Sequence, residues 1–283
     1  MTATHALLRE SIDYAGLFPP AALDLDIAVS NYAAYRAGRD SWALGRLVLP
    51  ASKLAELAHR WPEHVRDWPI SLLLGPDFLG DMQLAAGVGL RPESVECRPA
   101  QLDDIRAIRA LLRTDAELFV EAGPGIALDD LLATLHRVGA CAKIRTGGVT
   151  PDAIPTVGDV AAFLCACARR GVRLKATAGL HHVVRAEHPL TYAADAPRAN
   201  MHGFLNFFVS SMLAMRGEEN NVESCLRETS TDAFQTSEDR ITWRDKQFAL
   251  DEIERMRANF ALSFGSCSFE EPIADLRAMG WLA

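Results

Sequence analysis

The chain is poor in the features that announce several large classes of protein. Its six cysteines (Cys97, Cys141, Cys165, Cys167, Cys225, Cys267) are scattered over 283 residues without a CxxC pair, which excludes a disulfide scaffold and leaves no zinc spacing. Buried free thiols in a reducing cytoplasm are expected. Positive charge is in deficit, with 29 Lys and Arg against 37 Asp and Glu and a net charge of −8. Phosphate backbones and anionic lipid therefore feel little long-range attraction, and neither a nucleic acid nor a membrane is an expected partner. No apolar run approaches the ~18 residues of a bilayer span. The start "MTATHALLRE" lacks the charged and apolar regions of a secretory signal, so a cytoplasmic protein is expected. No GxGxxG follows a strand and no GxxxxGK[ST] occurs, while "AGPGIA" (122–127) has two glycines at the wrong spacing for a dinucleotide turn. No cofactor is expected.

What the chain does have is enough apolar material, 49% of residues, for one large core. It shows no linker, repeat or low-complexity stretch, so residues 1–283 read as one domain. Short apolar runs alternate with helix-period segments. The candidate strands are 11–18, 43–50, 69–75, 94–99, 116–123, 140–147, 171–179 and 260–266, and the clearest helices are 127–139 and 157–171, each ending at a glycine. Eight such units predict an α/β fold of the (β/α)8 TIM-barrel type, with an open doubly wound sheet as the alternative. A long insertion of helices and a hairpin is expected at about 180–258, between the seventh and eighth strands. It contains helices at 200–217 and 248–258 and a small hairpin at 234–245.

Active sites of such barrels collect at the C-terminal ends of the strands, where alternate residues point inward. Lys143 and Arg145 share one face of the sixth strand in "CAKIRTGGVTP", and Lys175 stands on the seventh in "RLKATAGLHH". A lysine inside a barrel among other cations loses its proton more easily, and a neutral amine attacks carbonyls. Alternatively the two lysines extend their tips to solvent or pair with Glu96 and Glu121.

These segments resemble the deoxyribose-phosphate aldolase family. "AKIRTGG" and "LKATAGL" stand in the order of that family's "KTSTG"-like and "VKAAGG"-like strands, which carry the Schiff-base lysine and a second lysine that tunes it. "SIDYAGLFPPAALDLDI", "LGRLVLPASKLAEL" and "ELFVEAGPGIALDDL" are similar to its opening segment, second strand and fifth strand, so the resemblance covers most of residues 11–180. It implies Lys143 as nucleophile and Lys175 as its electrostatic partner in a Schiff-base lyase that makes or breaks carbon–carbon bonds. The departures are equally specific. Arg145 replaces a small hydroxyl residue, and Glu96 is the nearest match to the family's fourth-strand aspartate. "SFGSCS" (263–268), with Ser266, is only faintly similar to its final phosphate-binding turn. A guanidinium pairs naturally with carboxylate or phosphate, so the expected partner is a small anionic aldehyde or keto acid held by Arg145, Thr146, Gly147, His181, His182 and Ser266.

Proton transfer in such chemistry calls for a nearby carboxylate or phenol. Glu121 leads the candidates by adjacency to Lys143, followed by Glu96, Asp13 and Tyr14. A rival reading is a metal-dependent hydrolase or isomerase using Glu96, Glu121, His181 and His182, with His202 a further ligand candidate, although no HExxH or strand-borne HxH is present. A third is a non-catalytic barrel that holds a small anion through Arg145 and the glycines. His202 reads otherwise as a core or interface residue. The helix "HGFLNFFVSSMLA" is apolar nearly all round, so it is expected deep in the core or against a second copy of the chain, making a homo-oligomer.

Overall fold

A computed structural model describes residues 1–282. Helix α1 (Ala3–Leu8) leads into β1 (Ile12–Tyr14), α2 (Leu25–Ala37) and β2 (Leu44–Pro50). Two short helices, α3 (Leu54–Arg60) and α4 (Pro62–Asp67), precede β3 (Ile70–Leu73), and α5 (Phe78–Gly87) precedes β4 (Ser94–Cys97). Then come α6 (Leu102–Leu111), β5 (Glu117–Glu121), α7 (Leu128–Val138), β6 (Cys141–Arg145), α8 (Val157–Arg170) and β7 (Leu174–Thr177). The next segment carries β8 (Ala186–Pro189), β9 (Arg198–Met201), α9 (Phe204–Met215), α10 (Glu219–Arg227), β10 (Phe234–Thr236), β11 (Arg240–Trp243), β12 (Lys246–Ala249) and α11 (Leu250–Asn259). The last barrel strand is β13 (Ala261–Ser266), followed by α12 (Glu270–Ala278).

All eight expected strands pair in parallel and close into a barrel in the order β1-β13-β7-β6-β5-β4-β3-β2. The open sheet is thereby replaced by the (β/α)8 barrel. The observed strands are shorter than their apolar runs. Residues 15–18 of the first run leave β1 because Phe18 turns over the mouth and lines a cavity there. Local chemistry explains the helices. At the start of α8, Thr156 and Asp159 exchange a side-chain hydrogen bond with each other's backbone N–H, each 3.1 Å long. Helices α7 and α8 end on Gly139 and Gly171 at φ +67° and +62°, the left-handed conformation that glycine adopts without steric cost. The stretch Pro151–Arg170 is by length and composition apolar enough to cross a bilayer, but Val160, Phe163, Leu164 and Cys167 are buried in this core.

The segment 180–258 differs from the expected insertion in content. Helix α9 packs against α8 and β13, with Phe204 stacked on Phe264 of β13 at 4.9 Å, so it belongs to the ring of helices around the barrel. Every residue from Phe204 to Ala214 is buried by this chain itself, under α8, α10 and α11. That covering accounts for the apolar sequence and removes the argument for an oligomer contact through α9. The hairpin at 234–245 is the first two strands of a three-stranded sheet, β10-β11-β12. The expected helix 248–258 begins only at Leu250, after β12 has used Phe248 as its inward residue. The β8–β9 hairpin has no sequence signal, because "AEHP" and "RANM" lack β-branched residues and clear alternation. All six cysteines are free and buried, as expected.

Candidate active site

Four charged side chains from four strands, Asp13 of β1, Glu96 of β4, Lys143 of β6 and Lys175 of β7, meet inside the mouth of the barrel. Parallel pairing places Glu121, Lys143 and Lys175 level with one another across β5, β6 and β7. Barrel closure then brings the carboxylates of Asp13 on β1 and Glu96 on β4 to these amines. Lys175 Nζ lies 2.5 Å from Asp13 Oδ2 and 2.8 Å from Glu96 Oε1, and Lys143 Nζ lies 2.7 Å from Glu96 Oε2. Glu96 thus bridges the two lysines, one oxygen to each.

Such charges survive out of water only when paired and hydrogen-bonded. Ser71 donates to Glu96 Oε1 at 2.7 Å and is itself held by Ser94 at 2.7 Å. Asp13 accepts from Ser263 Oγ and from the Arg46 backbone N–H, each at 2.8 Å. Beneath Lys175 the Phe119 ring centroid lies 5.1 Å from Nζ, in cation–π range. Burial opposes ionisation of Glu96, but Lys143 and Lys175 outweigh it and hold the carboxyl far below the usual carboxylate range. Burial also opposes the charge on Lys175, and Asp13 and Glu96 outweigh it, so its pKa is raised.

The two lysines differ in access. A cavity of about 320 Å3 opens at the mouth, bordered by Lys143, Glu96, Arg145, His181, Cys267 and the apolar side chains of Phe18, Val48 and Leu73. Lys143 retains 6% exposure and borders this space, whereas Lys175 and Asp13, both at 0%, lie behind it. A larger cavity of about 740 Å3 at the opposite end of the barrel is lined by Arg46, Glu93, Glu117 and Arg257. There Arg46 pairs with Glu93 and Glu117 at 3.2 and 3.1 Å. The mouth cavity is the one that reaches the amine, and strand C-terminal ends are where barrel chemistry sits.

Several expected residues occupy different roles. Glu121, the leading proton acceptor by sequence, is 3.8 Å from Lys143 and shares its carboxylate with Arg145 at 3.4 Å and Arg98 at 3.8 Å. Glu96 is the closer partner. Arg145 turns to the rim with its side chain 52% exposed, so the cation beside Lys143 is neutralised by an acid and the expected cluster of three cations is instead a set of ion pairs. Gly147 borders the cavity. Thr146 ties the loops after β6 and β7 together by donating to Ala178 O at 2.5 Å. Ser266 is buried beside His181, with Oγ 3.1 Å from Nδ1. His182 faces away from the cavity, 2.9 Å from Asp275 and stacked on His188. Tyr14 is buried near Asn31, whose amide donates to its hydroxyl at 3.3 Å. His202 is buried, with Nε2 2.9 Å from Pro155 O. Among the described residues no group of three or more His, Cys, Asp or Glu is arranged to hold a metal ion, so Glu96, Glu121, His181, His182 and His202 do not form the ligand set considered from sequence.

The residues that sequence reasoning missed are the supports: Ser71, Ser94 and Ser263, with Phe119. A lone serine in an apolar strand such as "PISLLLG" was a usable signal, because a buried hydroxyl needs a partner. No protein-family model and no curated protein sequence matches the chain, so what the site does is argued from its own chemistry.

Proposed function

We propose that this barrel is a Schiff-base lyase of the aldolase type, with Lys143 as the amine that attacks a small carbonyl substrate. The observation that carries this reading is the division of labour between two buried lysines: one borders the cavity, the other is locked behind it between two carboxylates. The attack needs an unprotonated amine. Glu96, 2.7 Å away, is the acceptor in reach of the Lys143 proton; because the two lysines favour its ionised form, it holds that proton only briefly, and Lys175 keeps its charge between Asp13 and Glu96. The amine adds to the carbonyl, and the proton held by Glu96 returns to the departing hydroxyl, which leaves as water. An iminium cation then stands where the ammonium stood, again facing an ionised Glu96, so the site's charge balance is the same before and after. The iminium draws the electrons of an adjacent carbon–carbon bond as it breaks and returns them when it forms.

The cavity suits a substrate of a few carbons, at the small end of ligand sites. Arg145 and the glycine loop at 147–148 stand at its edge, which favours a carbonyl compound carrying a carboxylate or phosphate. The chain has four lysines, Lys53, Lys143, Lys175 and Lys246, which makes the test clean. The protein is incubated with pooled small aldehydes, glyoxylate and pyruvate, reduced with borohydride and mapped by peptide mass spectrometry. A stoichiometric adduct on Lys143, absent from the Lys143→Ala variant, is expected. Adducts spread equally over Lys53, Lys246 and the N-terminus would overturn the reading.

A further inference from the structure

His181 borders the same cavity as Lys143 and is 5% exposed, yet the Schiff-base steps above leave it unused. Its two nitrogens have different surroundings. Nδ1 lies 3.1 Å from Ser266 Oγ and 3.5 Å from Glu271 Oε2. Ser266 Oγ already accepts the Ser268 N–H at 3.3 Å, so its own proton has Nδ1 as the acceptor in reach. In the tautomer in which Nδ1 accepts that proton, the ring hydrogen sits on Nε2. The Cys267 thiol lies 3.8 Å from Nδ1 and 3.9 Å from Nε2, and for Nε2 it is a weak partner. A neutral imidazole N–H with Ser266 behind it and a thiol beside it can exchange that weak contact for an oxygen that enters the cavity.

Resting on the Schiff-base reading, we propose that His181 is a second catalytic residue, donating an Nε2–H hydrogen bond to the oxygen of the aldehyde that joins, or leaves, the substrate bound on Lys143. In the addition direction the enamine carbon forms a bond to the aldehyde carbon, the carbonyl π pair moves onto oxygen, and the iminium on Lys143 is restored. His181 stabilises the charge as it develops on that oxygen and is itself unchanged, while solvent water supplies the proton that completes the hydroxyl. In the cleavage direction the same proton returns to water. Burial, with smaller contributions from His182 and His188, lowers the His181 pKa to about 4, so the ring is neutral across the ordinary working range and Glu271 faces an uncharged partner. Tyr192, on the turn between β8 and β9, donates to Glu271 Oε1 at 3.0 Å and so steadies the carboxylate behind the ring.

The role separates from Schiff-base formation by experiment. For wild type, His181→Phe and His181→Gln, three readouts are taken with a ketone or keto acid that traps on Lys143: borohydride trapping, deuterium exchange at its α-carbon in D2O, and addition to formaldehyde, glycolaldehyde and glyceraldehyde. The first two report the iminium and enamine, the third the carbon–carbon step. His181→Phe is expected to keep trapping and exchange while addition falls by about two orders of magnitude, the usual effect of losing one preorganised donor. His181→Gln, which keeps an N–H, is expected to recover part of that loss, and it carries the test if the Phe variant does not fold. Unchanged addition in His181→Phe, or a parallel loss of all three readouts, overturns the proposal. Absence of wild-type trapping on Lys143 is the separate result that sinks the Schiff-base reading, and this role with it.

Discussion

Lys143 and Lys175 are register partners on adjacent strands, yet the cavity meets Lys143 while Lys175 sits sealed between Asp13 and Glu96. The pair therefore divides into a group that can react and a group that holds charge. Each half of that division can be tested.

Replacing Lys175 with Met leaves Glu96 and Asp13 buried without their common cation, a change that typically costs about 3–5 kcal/mol. Lys143→Ala leaves Glu96 with Lys175 and Ser71, so its cost is expected at about 1.5–3 kcal/mol, the scale of one charge-assisted hydrogen bond. Urea unfolding of the two variants measures the contrast. Equal losses would mean that Lys175 is not the structural member of the pair.

Glu96→Gln removes the proton acceptor while keeping the shape of the side chain. Trapping on Lys143 is expected to slow by about 10²–10⁴, the usual contribution of a positioned acid–base group. Glu121→Gln is expected to change trapping far less, because Glu121 is 3.8 Å from the amine and engaged with two arginines. A larger effect at Glu121 than at Glu96 would reverse the assignment made from the distances.

Gly45 stands on β2 with no side chain because Asp13 occupies the space. A Cβ there would fall 2.4 Å from Asp13 Oδ1, between the backbone oxygens of Glu10 and Ile12 at 3.2 Å. Gly45→Ala is therefore expected to push the carboxylate off Lys175 and destabilise the fold by about 1–3 kcal/mol, the range for overpacking, read as a lower urea midpoint. An unaltered midpoint would show that Asp13 has room to move.

Acidification is expected to weaken the fold before the carboxylates titrate. An unfolded His181 takes up a proton near pH 6.5, whereas the folded one resists until about pH 4. The unfolded chain therefore binds more protons in that window, and stability rises with pH across it, by on the order of 3 kcal/mol for this residue. His188 and His202 are lowered too, chiefly by burial, and add to the slope in the same sense. Below the carboxylate range, protonation of Glu96 removes a further share. At the alkaline end, the contribution of Lys175 is present below its unfolded value and is lost as pH rises through its raised folded value. Unfolding midpoints at pH 7 and pH 5 in wild type and His181→Asn test the acid limb, which should be shallower in the variant.

Arg145→Ala is expected to leave stability within about 0.5 kcal/mol, since its ion pair with Glu121 is half-exposed and screened. Its effect should appear instead as a raised KM for an anionic carbonyl substrate, with neutral aldehydes unaffected. Equal effects on both substrate types would remove Arg145 from anion recognition.

The eight strands were legible because an apolar run bounded by helix-period segments is a local signal, and so was the placing of Lys143 and Arg145 on one side of the sixth strand, which follows from the two-residue period. The end residues of α7 and α8 were equally local. What the sequence could not decide was which acid meets which amine. Adjacency favours Glu121 for Lys143, but Glu121 turns to the rim arginines while Glu96 reaches across from β4. Asp13 and Lys175 lie 162 positions apart and touch only because β13 seals the barrel between β1 and β7. Likewise the sequence of α9 fits a core helix and an interface helix equally until α8, α10, α11 and β13 are seen to cover it. Alternation and capping are properties of neighbouring residues and can be read along a chain. Pairing between charges depends on closure, stagger and depth, which exist only once the whole barrel has formed.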